Sequence, residues 1–311
     1  MLLSLFYIFI FPGFLFLSIY GLLLEFLDRK LYARFQNRIG PPWFQPFADF
    51  IKLIGKEAIV PASAEKIMFR ILPAFALASV SAVILYVPLW STGALFSFRS
   101  DLIVVLYLLT IPTITFFIAG WVSTSLYSTL GSVRTLTQLF AYEVPLFMAL
   151  LGPALLAGSW SISEIASFYH EHPLLILFNI PGFIVAIIAM QGKLERVPFD
   201  IPEAETEIVA GSFTEYSGRY LALFRMTVDI EMIVLVSLVA AIFFPFYAQG
   251  NVALGIVLYL LKTVILVFIL ALIRSLMARL RIEQMVKFCW KYLAPAAILQ
   301  IIVDLLVKGV L

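Results

Sequence analysis

Eight apolar runs constrain this chain of 311 residues more than any other feature of its sequence. At 1.5 Å per residue, a helix of about 20 residues crosses about 30 Å, the thickness of the hydrocarbon layer of a bilayer. The runs lie near residues 2–24, 68–90, 102–122, 139–158, 173–190, 221–247, 252–273 and 291–309. Because 63% of the residues are hydrophobic, there is more apolar surface than a soluble core of this length needs. The sequence therefore predicts an all-α polytopic membrane protein, with one integral membrane domain over residues 1–311.

The fourth and fifth runs are the least regular. Glu143 and Pro145 interrupt the fourth, and Pro173, Pro181 and Gly182 punctuate the fifth. An arrangement with seven spans therefore stays open beside the arrangement with eight.

Basic residues predict the orientation in the membrane. Of the 21 lysines and arginines, 18 fall on alternate connections, in segments 25–70, 191–225 and 274–291 and at Arg134. Short connections rich in these residues stay on the cytoplasmic side. We therefore expect a multi-pass protein of the cell membrane with both termini outside and its long connections in the cytoplasm.

Composition excludes several functions. The net charge of +2 is too small to indicate a nucleic-acid partner. The single cysteine, Cys289, excludes a disulfide, a thiolate zinc site or an iron–sulfur cluster held by this chain alone. His170 and His172 are expected to be solvated loop residues rather than haem ligands. Because phosphate-binding, nucleophile and metal motifs are also absent from the sequence, we expect no independent catalysis and no cofactor bound by this chain, so that any redox centre would belong to a partner.

The first long connection contains a predicted amphipathic helix. Gly40, Pro41 and Pro42 break the chain before residues 43–57. Four apolar residues share one face of that helix: Phe47, Phe50, Ile51 and Ile54. The pattern predicts a helix that lies at the membrane interface, and ordinary packing is favoured over a ligand-binding role.

An acid-rich segment, 195–207, follows the fifth run directly and places five acids around two prolines. One interpretation is structural: Asp200 caps a helix and Glu203 completes a capping box. The other is functional: crowded carboxylates raise one another's pKa, so that some exchange protons near neutral pH. Glu203 and Glu207 would then be i, i+4 neighbours on a helix.

Charged residues also occur within the runs themselves. A charge at membrane depth costs a few kcal/mol even on the insertion scale, so each is a candidate for function. A structural or snorkelling role is favoured for Glu25 and Asp304, which lie nearest the ends of their runs, whereas a functional role is favoured for Glu143 and Glu231. Lys262 adds a basic residue to the seventh run.

Several motifs in order resemble one known family. The motifs are Asp28-Arg29-Lys30, Arg38-Ile39-Gly40-Pro41, Gln45-Pro46-Phe47-Ala48-Asp49, Gly120-Trp121, Tyr142-Glu143, the run from Arg196 to Glu205, Glu207 to Gly211, Thr214 to Gly218, and Glu283-Gln284 with Trp290-Lys291. Together they resemble NuoH, subunit 1 of complex I and of its hydrogenase relatives, over nearly the whole chain.

The resemblance implies eight membrane helices and long cytoplasmic loops that dock a soluble redox module and form a chamber lined with carboxylates. The acids implied for that chamber or a proton path are Asp49, Glu143, Asp200, Glu203, Glu205, Glu207 and Glu215. The implied charge partners are Arg29, Arg38, Arg134, Arg196 and Arg279. The family's glutamate early in the sixth helix has no clean match, but Asp229 and Glu231 lie nearby and are included among the path acids.

Departures from the family pattern lie around the place where quinone enters its quinone-reducing members. Asp28 stands where the family has glutamate, the stretch after Gly40-Pro41 is shorter, and Lys193-Leu194-Glu195-Arg196 replaces an acid-Thr-Asn-Arg sequence. In these features the chain looks like the membrane anchor subunit of energy-converting membrane-bound hydrogenases and their sulfur-reducing relatives. In those complexes, ferredoxin supplies the electrons and quinone does not receive them.

The resemblance leads to one favoured function and two alternatives. The favoured function is coupling of electron transfer to proton or sodium translocation in a ferredoxin-dependent hydrogenase or sulfur-reducing relative. Its expected partners are hydrogenase-like large and small subunits that carry iron–sulfur or nickel–iron centres, antiporter-like membrane subunits, and ferredoxin as an indirect donor. The alternatives are the quinone-chamber subunit of an NADH- or ferredoxin-quinone oxidoreductase and, in another class, a stand-alone secondary transporter.

Overall fold

The fold is described from a computed structural model, which describes residues 2–248 and 250–310, without the side chains of Leu2, Leu3, Glu205, Thr206 and Val310. The α-helices in this part of the chain are α1 (Leu2–Phe9), α2 (Phe14–Phe35), α3 (Gln45–Gly55), α4 (Lys66–Val83), α5 (Asp101–Val122), α6 (Leu126–Ala157), α7 (Ile162–Glu171), α8 (Ile180–Lys193), α9 (Glu205–Ile208), α10 (Gly218–Phe243), α11 (Val252–Leu276), α12 (Ile282–Phe288) and α13 (Ala294–Val310). Three 3₁₀ turns, Ile84–Tyr86, Pro173–Asn179 and Gly211–Phe213, and a π-turn, Cys289–Leu293, complete them. The described residues contain no β-strand.

Eight segments are long and apolar enough to cross a membrane, which confirms the predicted number and the all-α class. They are Ser4–Phe35, Lys66–Tyr86, Asp101–Val122, Leu126–Ala157, Pro173–Lys193, Gly218–Phe243, Val252–Leu276 and Ile282–Gly309. One end of the bundle, here called the cavity end, contains four connections: 36–65, 123–125, 194–217 and 277–281.

Prolines explain the irregular fourth and fifth segments. Pro145 and Pro153 lie inside α6, but the helix continues past both of them through 32 residues. It begins at Leu126, well before the start that the sequence predicts near residue 139. The fifth segment instead begins as the 3₁₀ turn Pro173–Asn179 and becomes α-helical at Ile180, where Pro181 occupies the first helical turn, a position that needs no N–H bond.

The central helix of the bundle is α10. It packs against α2, α3, α4 and α11, and every residue from Ile230 to Phe243 is buried. A second group of contacts joins α6 to α5, α8 and α13. A helix that is apolar and buried on all sides belongs in the interior, whereas the outer helices keep one apolar face for lipid or other subunits.

Two smaller helices differ in part from the sequence predictions. The helix predicted over 43–57 is present as α3, but its apolar stripe is divided: Phe47 and Phe50 pack on the core, whereas Ile51 and Ile54 are exposed. The prediction that His170 is a loop residue is wrong, because it lies in the last turn of α7. Helix α7 forms because Ile162, Ile165, Ala166 and Tyr169 recur at helical spacing and are all buried.

Candidate functional site

A charged cavity of about 530 Å³ opens at the cavity end, between α2, α3, α10 and the segment that follows α8. Among the described residues, six acids and five arginines line it. They are Glu25, Asp49, Glu195, Asp200, Glu203, Asp229, Arg29, Arg196, Arg225, Arg274 and Arg279. The formal charges of these acids and arginines are therefore almost balanced.

Half of the predicted site residues are in this cavity. Those that line it are Asp49, Asp200, Glu203, Asp229, Arg29, Arg196 and Arg279. Glu231 lies in a smaller adjoining pocket, and Glu207 and Arg134 line a separate opening of about 350 Å³. Glu143, Glu215 and Arg38 line none of these three spaces. The side chain of Glu205 lies outside the described part of the structure.

Arg196 forms the most buried ion pairs of the cavity. Its guanidinium lies 3.0 Å from Asp28 Oδ1 and 3.2 Å from Glu25 Oε2, and Asp28 has no exposed surface. Arg274 contacts the second oxygen of Asp28 at 2.8 Å, and Arg29 joins Glu25 to Asp49. Burial lowers the pKa of Arg196, but the carboxylates of Asp28 and Glu25 outweigh burial and raise it.

Three ion pairs connect the acid-rich segment to three different parts of the fold. The pairs are Asp200 with Arg279 at 2.7 Å, Glu203 with Arg225 at 2.9 Å, and Glu207 with Arg134 at 2.7 Å. The capping interpretation is wrong, since α9 begins after Ala204 without a side-chain cap. Glu203 precedes α9 and therefore is not a helical neighbour of Glu207. The ion pairs, rather than helix formation, determine where these acids lie.

Glu195 occupies a conformation usually reserved for glycine. At the end of α8, the N–H of Glu195 donates to Gly192 O and the N–H of Arg196 donates to Gln191 O, which is the pattern of a Schellman motif. Glu195 is the residue with a left-handed backbone in this motif, at φ +50°. This conformation costs a non-glycine residue about 1–2 kcal/mol. It brings the carboxyl group of Glu195 into the cavity wall.

The environment of Glu195 shifts its proton equilibrium. Its Oε1 atom is buried and accepts no hydrogen bond from the described residues. Burial, reinforced by the negative charges of Glu203 and Glu231, raises its pKa to about 8, whereas Arg225 and Lys193 act in the opposite direction. Glu195 is therefore protonated at neutral pH and close to its titration range.

A buried ion pair lies beyond Glu195. Lys193 Nζ is 3.0 Å from Glu231 Oε1, and it donates to the carbonyl oxygen of Leu109 at 2.6 Å. Glu195, Glu203, Lys193 and Glu231 line a pocket of about 30 Å³ between the cavity and this pair. That volume has room for about two water molecules. A chain of polar groups thus leads from the cavity into the membrane-spanning bundle.

Comparison with known proteins gives the family. Residues 7–305 match the family model described as NADH dehydrogenase. Subunit 8 of the NADH-quinone oxidoreductase of Thermus thermophilus is 36% identical over 309 residues, covering 94% of this chain and 85% of the relative. The chain belongs to the NuoH family. An NADH-quinone oxidoreductase subunit from Dehalococcoides mccartyi strain 195 is 33% identical, covering 96% of this chain and 84% of the relative. The expected family membership is confirmed.

A solved structure shares the fold. A chain of the membrane-bound sulfane sulfur reductase, an archaeal respiratory membrane complex, superposes with a TM-score of 0.84 at 24% identity, covering 93% of this chain and 96% of that chain. This likeness shows that the two chains share one fold over 93% of this chain. Within those residues, no group of three or more histidines, cysteines, aspartates or glutamates could hold a metal ion.

Several cavity residues were missed in the sequence. A structural or snorkelling role was predicted for Glu25, and no role in the site was predicted for Asp28, Arg225 or Arg274. One available signal was the spacing of Glu25, Asp28 and Arg29, which are three and four residues apart and so share one face of α2. Arg225 and Arg274 gave no such signal, because they reach the cavity from α10 and α11 through tertiary packing.

Proposed function

We propose that this NuoH-family subunit couples electron transfer in a docked redox module to ion translocation, in a ferredoxin-dependent membrane-bound hydrogenase or a sulfur-reducing relative. The observation that carries the proposal is the continuity between the charged cavity and the buried Lys193–Glu231 pair. The excess of basic residues at the cavity end supports a cytoplasmic position for that end, with both termini outside.

In the proposed mechanism, Glu195 responds first. Reduction of a cofactor held by a docked subunit adds negative charge near the cavity and raises the pKa of Glu195 further above about 8, so that the fraction of Glu195 still ionised near that pH takes up a proton. The neutral Glu195 repels Glu231 less, which strengthens the pairing of Lys193 with Glu231 and changes the field inside the bundle. The changed field is transmitted to ion-translocating partners through the packed helices.

The proposed partners fit the exposed surfaces. Large and small redox subunits with iron–sulfur and nickel–iron centres would dock at the cavity end, beside the exposed Ile51 and Ile54 of α3. Antiporter-like subunits would pack on apolar faces such as that of α11, where Val257, Leu261 and Ile265 are exposed. The coupling ion is a proton or a sodium ion.

Quinone reduction is the second candidate function. It is favoured by the relatives from Thermus thermophilus and Dehalococcoides mccartyi, whose names identify them as subunits of NADH-quinone oxidoreductases. Against it, Lys193 and Glu195 replace the residues found at the quinone entrance of such proteins, and the cavity is lined largely by charge. The family membership gives no support to a stand-alone transporter.

The deciding experiment uses the intact complex, purified from its native membrane and supplied with reduced ferredoxin. Hydrogen or sulfide formation that needs no quinone is the expected result; quinone reduction without either product would overturn the proposed branch. Glu203→Gln in the same complex, reconstituted into vesicles, should keep product formation and lower the ion gradient formed per electron at least several-fold. Glu57→Gln is the matched control, since Glu57 is an exposed acid at the same end. A normal gradient in Glu203→Gln would contradict the coupling role.

A further inference from the structure

At the end of the bundle opposite the cavity, Asp304 of α13 has no exposed surface. It lies against Gly152 of α6 so closely that a Cβ atom on Gly152 would be 2.7 Å from Asp304 Oδ2. From its sequence position, a structural or snorkelling role is expected for this aspartate. The structure excludes snorkelling, since the carboxyl group points between helices rather than toward solvent.

No basic side chain of the described residues pairs with Asp304. Lys308, one turn later, donates to Leu155 O at 2.8 Å and forms no ion pair with a described residue. The facing half of α6 after Glu143, the turn Pro173–Asn179 and the first two turns of α8 contain no ionisable residue. On α7, three ionisable side chains are engaged or directed elsewhere: Glu164 accepts from Ser159, His170 faces Pro245 O, and Glu171 is exposed.

Tyr169 of α7 is the remaining ionisable neighbour. Burial raises its pKa, so it stays a neutral hydroxyl group that both donates and accepts hydrogen bonds. An ionised Asp304 would therefore be a buried charge stabilised only by neutral groups, which is a costly arrangement at membrane depth.

Two amides surround the carboxyl group. Gln300 Nε2 lies 2.9 Å from each oxygen of Asp304, 2.8 Å from Phe178 O and 3.0 Å from Asn179 Oδ1. It thus faces four acceptors with only two protons. The side-chain oxygen of Gln300 accepts from the N–H of Gly182 at 3.2 Å, which prevents the amide from turning.

Asn179 can satisfy its neighbours in two ways. In one orientation, the side-chain oxygen of Asn179 lies 3.2 and 3.3 Å from the Asp304 oxygens and accepts from a protonated carboxyl group. The NH₂ group of Asn179 then donates to Tyr169 Oη at 2.9 Å, and Tyr169 in turn donates to Pro153 O at 3.1 Å. In the other, the NH₂ donates to an ionised Asp304 and the oxygen accepts from Tyr169. Each orientation of the amide corresponds to one protonation state of Asp304.

We propose that Asp304, Asn179 and Tyr169 form a proton-binding site on the membrane side opposite the cavity, in which the amide of Asn179 reverses when Asp304 gains or loses its proton. On release, the Oδ–H bond of Asp304 breaks and the proton passes to water at that end of the bundle. The Tyr169 hydroxyl then turns from Pro153 O to Asn179 Oδ1. No other covalent bond changes; the hydrogen bond from Gln300 Nε2 to Asn179 Oδ1 is lost, and Gln300 then donates to the ionised Asp304.

Helix α8 connects this site with the cavity end. Asn179 belongs to the proton site and directly precedes α8, and Gly182 in the first turn of α8 donates to Gln300. Lys193, the last residue of α8, pairs with Glu231. The helix is about 20 Å long, so a reorganisation at Asn179 is transmitted along one rigid element to the buried ion pair. This proton site is separate from the proposed function, because its protonation can be measured without an electron donor.

Infrared difference spectroscopy between acidic and alkaline buffer tests the site in the intact purified complex. We expect a carboxylic-acid C=O band that titrates, disappears in Asp304→Asn and is retained in Glu164→Gln, a control acid at the same end. In Asn179→Leu, which removes the amide donor to the carboxylate, the band should persist to a pH about one unit higher.

An unchanged spectrum in Asp304→Asn would overturn the proposal, as would a band in Asn179→Leu that titrates as in the parent complex. If Asp304→Asn does not assemble, Asn179→Leu decides alone. Because the spectra are recorded without ferredoxin, acceptor or ion gradient, their outcome is separate from that of the coupling experiment with Glu203→Gln.

Discussion

Lys193 and Glu231 form an ion pair whose two side chains are only 3% and 1% exposed. Removal of one member of such a pair leaves an uncompensated charge in a medium that solvates it poorly, at a cost of about 3–5 kcal/mol. We expect Lys193→Met to lower the thermal stability of the complex strongly and to abolish ion translocation, with product formation from reduced ferredoxin retained. Parallel measurement of thermal midpoint, product formation and ion gradient checks this.

The double variant Lys193→Met with Glu231→Met separates stability from coupling. Because both charges are gone and the volumes are similar, stability should return to within about 1–2 kcal/mol of the parent protein. Ion translocation should stay absent. A double variant that translocates ions normally would show that the pair has only a structural role.

The raised pKa of Glu195 predicts that the stability of the folded protein falls as pH rises. Its pKa is raised from 4.5 to about 8 in the folded protein, so between these values the folded state binds a proton that the unfolded state has lost. Stability contributed by this proton is complete below about pH 4.5 and is lost as pH rises toward 8, at up to about 1.4 kcal/mol per unit. Thermal midpoints at several pH values should fall less steeply in Glu195→Gln than in the parent.

Glu195→Gly provides a control for the backbone. Glycine adopts the left-handed conformation at this position without strain, so this variant should gain stability at high pH while it loses the same pH dependence. If all three proteins show identical slopes, the proton is not held by Glu195.

Two arginines predicted as charge partners should differ in importance. Arg196 is 9% exposed and contacts Asp28 and Glu25, whereas Arg134 pairs with Glu207, whose side chain is 60% exposed. Exposed pairs contribute about 0–1 kcal/mol, and buried networks lose several times more when broken. We expect Arg196→Gln to prevent stable assembly and Arg134→Gln to shift the thermal midpoint by a few degrees at most; equal shifts in the two variants would contradict this ranking.

The sequence predicted the membrane architecture well because it follows from local quantities. Span length, apolar composition and the spacing of Phe47 and Phe50 are properties of neighbouring residues, and the bilayer imposes helices on them. The acid-rich segment was identified in the same way, by its composition.

The pairing of charges could not be predicted, because it depends on contacts between distant parts of the chain. Arg274 and Asp28 are 246 residues apart in sequence, and nothing local connects them. Only the snorkelling alternative for Asp304 was wrong, and for a different reason: the short distance to the end of the span favoured it, whereas the small Gly152 on a neighbouring helix admits the carboxyl group into the interior.

Gly131 of α6 should be indispensable to the site, although it bears no functional group. Its α-carbon faces the turn Gly211–Phe213, where a Cβ atom would lie 2.5 Å from the backbone nitrogen of Ser212. Because backbone cannot move aside as a flexible side chain does, Gly131→Ala must push this turn, and with it the acid-rich segment before it, away from α6. Overpacking of this kind costs about 1–3 kcal/mol. We expect a lower thermal midpoint and a reduced ion gradient per electron in Gly131→Ala, and neither effect in Gly55→Ala, since nothing lies within 4 Å of a Cβ atom on Gly55. A Gly131→Ala complex with parental stability and coupling would show that the turn can shift without disturbing the cavity.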